Sequence, residues 1–166
     1  MSGYKNFAVV GAGTIGAFII DQLIKDKAAG TINDVVVLTR QASFASAPHA
    51  LTYQLKQGSK TTVGTGAKLI TVDYSNKESI KTALTGVDVV ISTLSAPALG
   101  LQPGIAEAAK EAGVKLFAPS EFGGPTEGAT EGFFGAKANI HKQLKAIGIP
   151  YALFYTGAFA DDLWLP

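Results

Sequence analysis

Short apolar runs alternate with amphipathic stretches along most of the chain. FAVV at residues 7–10 is apolar throughout and runs into glycine, as a buried parallel strand does. Residues 14–27 then place Ile15, Ile19, Ile20, Leu23 and Ile24 on one helical face. The strand signal returns at residues 34–38, 68–72, 88–92, 114–118 and 151–155, each rich in valine, isoleucine, leucine or aromatic residues. Helices are expected between them. Ser75 and Glu78 have the spacing of a capping box at the start of one. Pro103 opens the next and Gly113 closes it. A further helix runs over residues 133–147 and stops at Gly148.

Strands that are apolar on both faces, separated by amphipathic helices, predict an α/β domain with a parallel sheet covered on both sides. Right-handed crossovers then favour a doubly wound order, 3-2-1-4-5-6. Residues 41–67 are long for a loop; a short helix is expected over 48–57, ended by Gly58, within a mobile surface excursion. There is no internal repeat and no interdomain linker, so residues 1–166 are expected to form one domain.

The most informative segment is GAGTIG, where Gly11, Gly13 and Gly16 match G-x-G-x-x-G. The first glycine permits a tight turn, the second lets backbone approach a pyrophosphate, and the third packs helix on strand. Thr14 and Ile15 lie between them, at the amides that open the helix. The motif begins at the end of the first strand and opens the first helix, as its mechanics require, and it identifies the domain as a Rossmann fold. Cofactor choice falls to the end of the second strand. An NAD site usually places an acid there; this chain has Thr39 and Arg40. A guanidinium can fork onto a 2′-phosphate, so Arg40 points to NADP(H), the alternative being a solvated surface arginine. Enzymes of S-adenosylmethionine also use a glycine-rich first turn, but Arg40 stands where they usually need an acid.

Composition narrows the classes further. The chain is 47% hydrophobic and 16% charged, a globular balance. Fourteen Lys and Arg against thirteen Asp and Glu leave a net charge of +1, without a basic stripe that would recommend nucleic acid or an anionic membrane. The absence of cysteine excludes disulfides, thiolate metal sites and cysteine nucleophiles. Two histidines far apart in sequence argue against zinc, leaving only carboxylate ligands, and no metal is expected. Residues 7–20 are uncharged and about the size of a signal-peptide core, yet no small-residue cleavage pattern follows directly; the protein is expected to be cytoplasmic.

GAGTIG, VVVLTR at the second strand, VDYSNKESIKTALTGVDVVIS across the third and fourth, and AGVKLFAPSEFG from Ala112 to Gly123 together resemble one branch of the atypical short-chain dehydrogenases. This is the NmrA-like and isoflavone-reductase-like group, and the resemblance extends from Asn6 to about Phe159. It implies a catalytic lysine on the helix after the fifth strand, where Lys137 stands. Typical short-chain dehydrogenases place a tyrosine four residues earlier; here that residue is Phe133, which has no acidic hydroxyl. Proton transfer would fall to Lys137, whose pKa burial would lower. An anchor for the nicotinamide ribose and a solvated helix lysine remain open for it.

Its neighbours carry weaker expectations. His141 is expected on the surface, and His49 falls near where reductases of this group can carry a second basic residue for the 2′-phosphate. Ser120 and Glu121, at the carboxyl end of the fifth strand, either shape the nicotinamide pocket or cap the following turn. Members of this group usually continue past the sixth strand into a substrate-binding portion, which is expected to be absent here. The functional expectation is an NADPH-dependent reductase, or its cofactor-binding portion, for a small carbonyl or enone-type substrate. The alternative is a regulator that senses NADP(H) and passes its redox state to a protein partner without catalysis. The apolar cluster of Leu163, Trp164 and Leu165 allows for packing on a second subunit, giving a homo-oligomer.

Overall fold

The computed structural model describes residues 3–40 and 66–159. Its elements are β1 (Asn6–Val10), α1 (Thr14–Ala28), β2 (Asp34–Thr39), β3 (Lys68–Thr71), α2 (Lys77–Ala83), β4 (Val89–Ser92), a 3₁₀ turn (Ala96–Leu101), α3 (Gln102–Glu111), β5 (Leu116–Ala118) and α4 (Gly132–Ile147). The strands pair in parallel in the order β3-β2-β1-β4-β5. The expected helix at 48–57, His49 and the apolar cluster at 163–165 lie outside the described residues.

Alternation along each strand feeds two cores. On one face Ala8, Val10, Leu38, Val90 and Phe117 are buried against Ile80 of α2, Ile105 and Ala109 of α3, and Ile140 and Leu144 of α4. On the other, Val9, Val35 and Val37 pack with Ile20 and Leu23 of α1. Because side chains alternate faces with period two, the register pairing Ala8 with Val36 and Val9 with Val37 keeps each set on its own side. The helices start and stop where composition directs. Pro103 lies in the first turn of α3, and Gly148 ends α4 in the left-handed region at φ 72°.

Two expectations are corrected. The helix after β3 is capped by Asn76, whose Oδ1 accepts from the Ser79 amide at 3.2 Å. Ser75 is drawn away by Asp73, to which it donates both its amide, at 2.9 Å, and its hydroxyl, at 2.6 Å. The sixth strand reduces to a single parallel bridge between Phe117 and Tyr151 among the described residues. The Phe117 amide donates to Pro150 and the Ala152 amide donates back to Phe117, at 2.9 and 3.1 Å. The next bond of such a ladder would need an N–H on residue 119, which is proline, so pairing stops there. The segment still follows the sheet edge, reconnecting where the Phe122 amide donates to the Phe154 carbonyl at 3.0 Å.

The opposite rim of the sheet is tied by Asp88. Its Oδ2 accepts from the Lys5 and Asn6 amides at 2.8 and 2.9 Å, and its Oδ1 from Lys115 Nζ at 2.7 Å. The Lys115 ammonium and then the Lys5 amide hold its carboxyl down at about 2. A folded-state pKa below the unfolded one contributes stability above the unfolded value and loses it as pH falls through the folded value. Asp88→Asn is therefore expected to cost on the order of 1–2 kcal/mol at neutral pH. Urea unfolding of both proteins should show this gap closing between pH 3.8 and about 2; a pH-independent gap would contradict the linkage.

Candidate cofactor and catalytic cleft

The chain leaves β1 towards β2 and β3 on one side and returns through β4 to β5 on the other, so a crevice opens at the carboxyl ends of β1 and β4. A cleft of about 600 Å³ lies there. Its walls are the glycine turn at Gly13, Thr14 and Ile15, residues 93–96 after β4, residues 120–124 after β5, residues 157–159, and Phe133, Phe134 and Lys137 of α4.

Each glycine of the turn does what its geometry demands. Gly11 sits at φ 97°, a conformation that a side chain would strain, and its amide donates to the Leu38 carbonyl at 3.2 Å. Gly13 is the N-cap of α1, and a methyl group added there would have no atom within 4 Å. At Gly16 the same methyl would overlap the Gly11 carbonyl oxygen and lie 2.5 Å from Thr93 Oγ1. No side chain caps α1 and its first turn holds no acid, so the positive end of the helix faces the cleft without a competing carboxylate. Thr93 was not foreseen from sequence. Its amide donates to Val10, and its hydroxyl is 2.9 Å from the Gly11 carbonyl and 3.2 Å from that of Val10. A small hydroxyl directly after a strand next to the glycine turn was the available signal.

Arg40 follows β2 directly and is exposed. It does not line the cleft. Its neighbour is Tyr74, whose hydroxyl donates to the Leu38 carbonyl at 3.1 Å. Burial pushes the Tyr74 hydroxyl up to about 12, with the Arg40 charge opposing.

The loop after β5 is built on buried polar contacts. The Ser120 amide donates to Gln102 Oε1 and its hydroxyl to the Leu94 carbonyl, both at 2.8 Å. Ser120 thus ties the two loops that form one wall of the cleft. The Glu121 side chain turns inward, where Oε2 accepts from Thr126 Oγ1 at 2.9 Å and Oε1 lies 2.7 Å from His141 Nε2. His141 is buried, which corrects the surface expectation: the partner that makes burial tolerable is Glu121, brought to it by the loop. Phe122 follows at φ 33°, an unfavourable backbone for an aromatic residue. Lys137 lies one turn before His141 on the same buried face of α4. Only 6% exposed, it is not a solvated helix lysine. Its Nζ donates to the Glu121 main-chain carbonyl and sits 4.8 Å from the centre of the Phe133 ring. Burial lowers the Lys137 pKa, and the Glu121 charge opposes part of that shift.

The NmrA-like family model matches residues 4–164. The chain belongs to that family. It is 34% identical to a phenylcoumaran benzylic ether reductase of Populus trichocarpa, over 93% of this chain and 50% of the relative. It superposes on a crystal structure of isoflavone reductase with a TM-score of 0.75 and 30% identity, over 94% of this chain and 50% of that one. A structure of AtPrR2 with NADP⁺ and (+)pinoresinol gives a TM-score of 0.75 at 26% identity, over 96% and 52%. The chain spans about half the length of the curated relatives it matches. Among the described residues no helix is long and apolar enough to cross a membrane, and no group of three or more His, Asp or Glu could hold a metal ion.

The contrast between two glycines gives a test. Gly16→Ala is expected to lower stability by about 1–3 kcal/mol, because the nearest overlapping atom is the Gly11 backbone carbonyl oxygen, which cannot step aside. Gly13→Ala has open space and a φ of −71°, and should unfold at nearly the parent's urea midpoint. Equal midpoints for the two variants would contradict the packing described for α1.

Proposed function

We propose that this chain is the cofactor-holding portion of an NADPH-dependent reductase acting on a small carbonyl or enone-type substrate. One observation carries the reading: the uncapped N-terminus of α1 and the Lys137 side chain face the same cleft. The residues fit the cofactor. Open space at Gly13 admits a pyrophosphate, and the first-turn amides of α1 offer it donors. Arg40, at the end of β2, would fork onto the 2′-phosphate and confer the preference for NADP(H) over NAD(H). Ser120, which ties the loop after β5 to the loop after β4, would shape the nicotinamide pocket. The relatives' reductase names and the NADP⁺ bound to AtPrR2 support the same assignment.

When bound, NADPH supplies a hydride. The substrate oxygen also needs a proton, and in this reading Lys137 gives it. Desolvation makes its ammonium a stronger acid than an ordinary lysine's. Phe133 cannot share that task, having no hydroxyl, and its ring instead lies against the ammonium. The lack of a second proton donor at Phe133 also favours a second reading, a family regulator that binds NADP(H) and signals its redox state to a protein partner.

Calorimetry with NADP⁺, NADPH, NAD⁺ and NADH, paired with NADPH oxidation over a panel of enones and aldehydes, separates these readings. The reductase reading expects NADP(H) binding with slow oxidation, which Lys137→Ala abolishes. Oxidation absent from every substrate, with strongly unequal NADP⁺ and NADPH affinities, would favour the regulator. In either case Arg40→Ala should remove about 1.5–3 kcal/mol of NADP(H) binding and leave NAD(H) binding unchanged. A variant that kept its preference would remove Arg40 from the account.

A further inference from the structure

Among the described residues that line the cleft, Glu121 is the one carboxylate, and its side chain faces the protein. Its side chain is 1% exposed, so both oxygens need partners, and both have them: Thr126 on one and His141 on the other. The two partners come from different elements, the loop before α4 and the buried face of α4. The same residue presents its main-chain carbonyl to Lys137 Nζ. Next to it, the chain passes through the φ of 33° at Phe122, a conformation that persists only where its surroundings hold it.

We propose that Glu121, clamped by Thr126 and His141, is a positioning residue for Lys137: the clamp fixes the carbonyl, and the carbonyl fixes the amine at the cleft. This rests on the reading of Lys137 as the proton donor. An ammonium has three N–H donors. One goes to the Glu121 carbonyl and the Phe133 ring faces the cation, which leaves donor capacity for an oxygen in the cleft. Burial does most to set its acidity and the Glu121 charge opposes it, while the Phe133 ring faces the ammonium and His141 lies one turn on. Releasing one carboxylate oxygen leaves a buried acceptor unpaired, and the loop gains by moving it towards water. The carbonyl then moves with it, and Lys137 loses its anchor and swings out.

The experiment is an NMR titration of the Lys137 ¹³Cε resonance, assigned by its loss in Lys137→Arg, with folding checked by near-ultraviolet circular dichroism. In the parent chain the midpoint should lie below the ordinary lysine value of 10.5. Thr126→Val and His141→Leu should each move it up towards 10.5. His141→Gln, whose amide can donate to the same oxygen, should stay with the parent. Should His141→Leu fail to fold, Thr126→Val decides, because it replaces a hydroxyl by a methyl of similar size. Unchanged midpoints in the folded variants would overturn the proposal. Titrating NADPH into the same samples separates the two claims. A parent that binds no NADPH refutes the proposed function while a shifted midpoint still supports the clamp; NADPH binding with immobile midpoints refutes the clamp alone.

Discussion

The first turn of α1 lies so close to the end of β1 that Gly16 meets the Gly11 carbonyl and Thr93 Oγ1 with no space for a side chain. The approach is steric, and its consequences spread outward. It aims the axis of α1 at the crevice and places its unpaired amides at the end of β1. It also makes β4 part of the same construction, since Thr93 leaves that strand to brace the Gly11 carbonyl. The neighbouring β1 and β4 are where the winding of the sheet reverses, so the close contact and the crevice share one location. The site proposed for an anionic ligand is thus built chiefly from backbone, which needs no charged side chain at its centre.

The opposite wall follows a different logic. There the chain accepts buried polar groups and a left-handed aromatic residue, and it keeps them by pairing each oxygen of Glu121. Such an arrangement is costly when incomplete and rigid when complete. It suits a wall that must hold an amine against desolvation. The two walls meet at the cleft, one presenting the uncapped amides of α1 and the other a lysine whose pKa burial lowers.

The amino acids disclose the first wall more readily than the second. Apolar residues on both faces of β1 and β2, with glycines at fixed offsets, are local signals, and they locate the turn within a residue or two. Lys137 and His141 are likewise readable as one helical face. What makes that face buried is Glu121, 20 residues before His141, and no local pattern links them. His141 therefore reads as a surface residue until the loop is folded. The shortened sixth strand has a similar cause: the aromatic run at 151–155 signals a strand, while the residue that stops its pairing, Pro119, lies on the neighbouring strand's exit. Ser75 reads as a cap until Asp73, two residues away, is seen to take both of its donors.

The central claim is that the glycine turn and Lys137 serve one ligand. It is tested most directly by titrating NADPH into the chain labelled with ¹⁵N and with ¹³C at lysine Cε. The amides of Gly13, Thr14 and Ile15 would be followed together with Lys137. The account predicts that all four saturate along one curve with a single dissociation constant. Amide shifts that saturate while the Lys137 resonance stays still, or follows a separate curve, would contradict it.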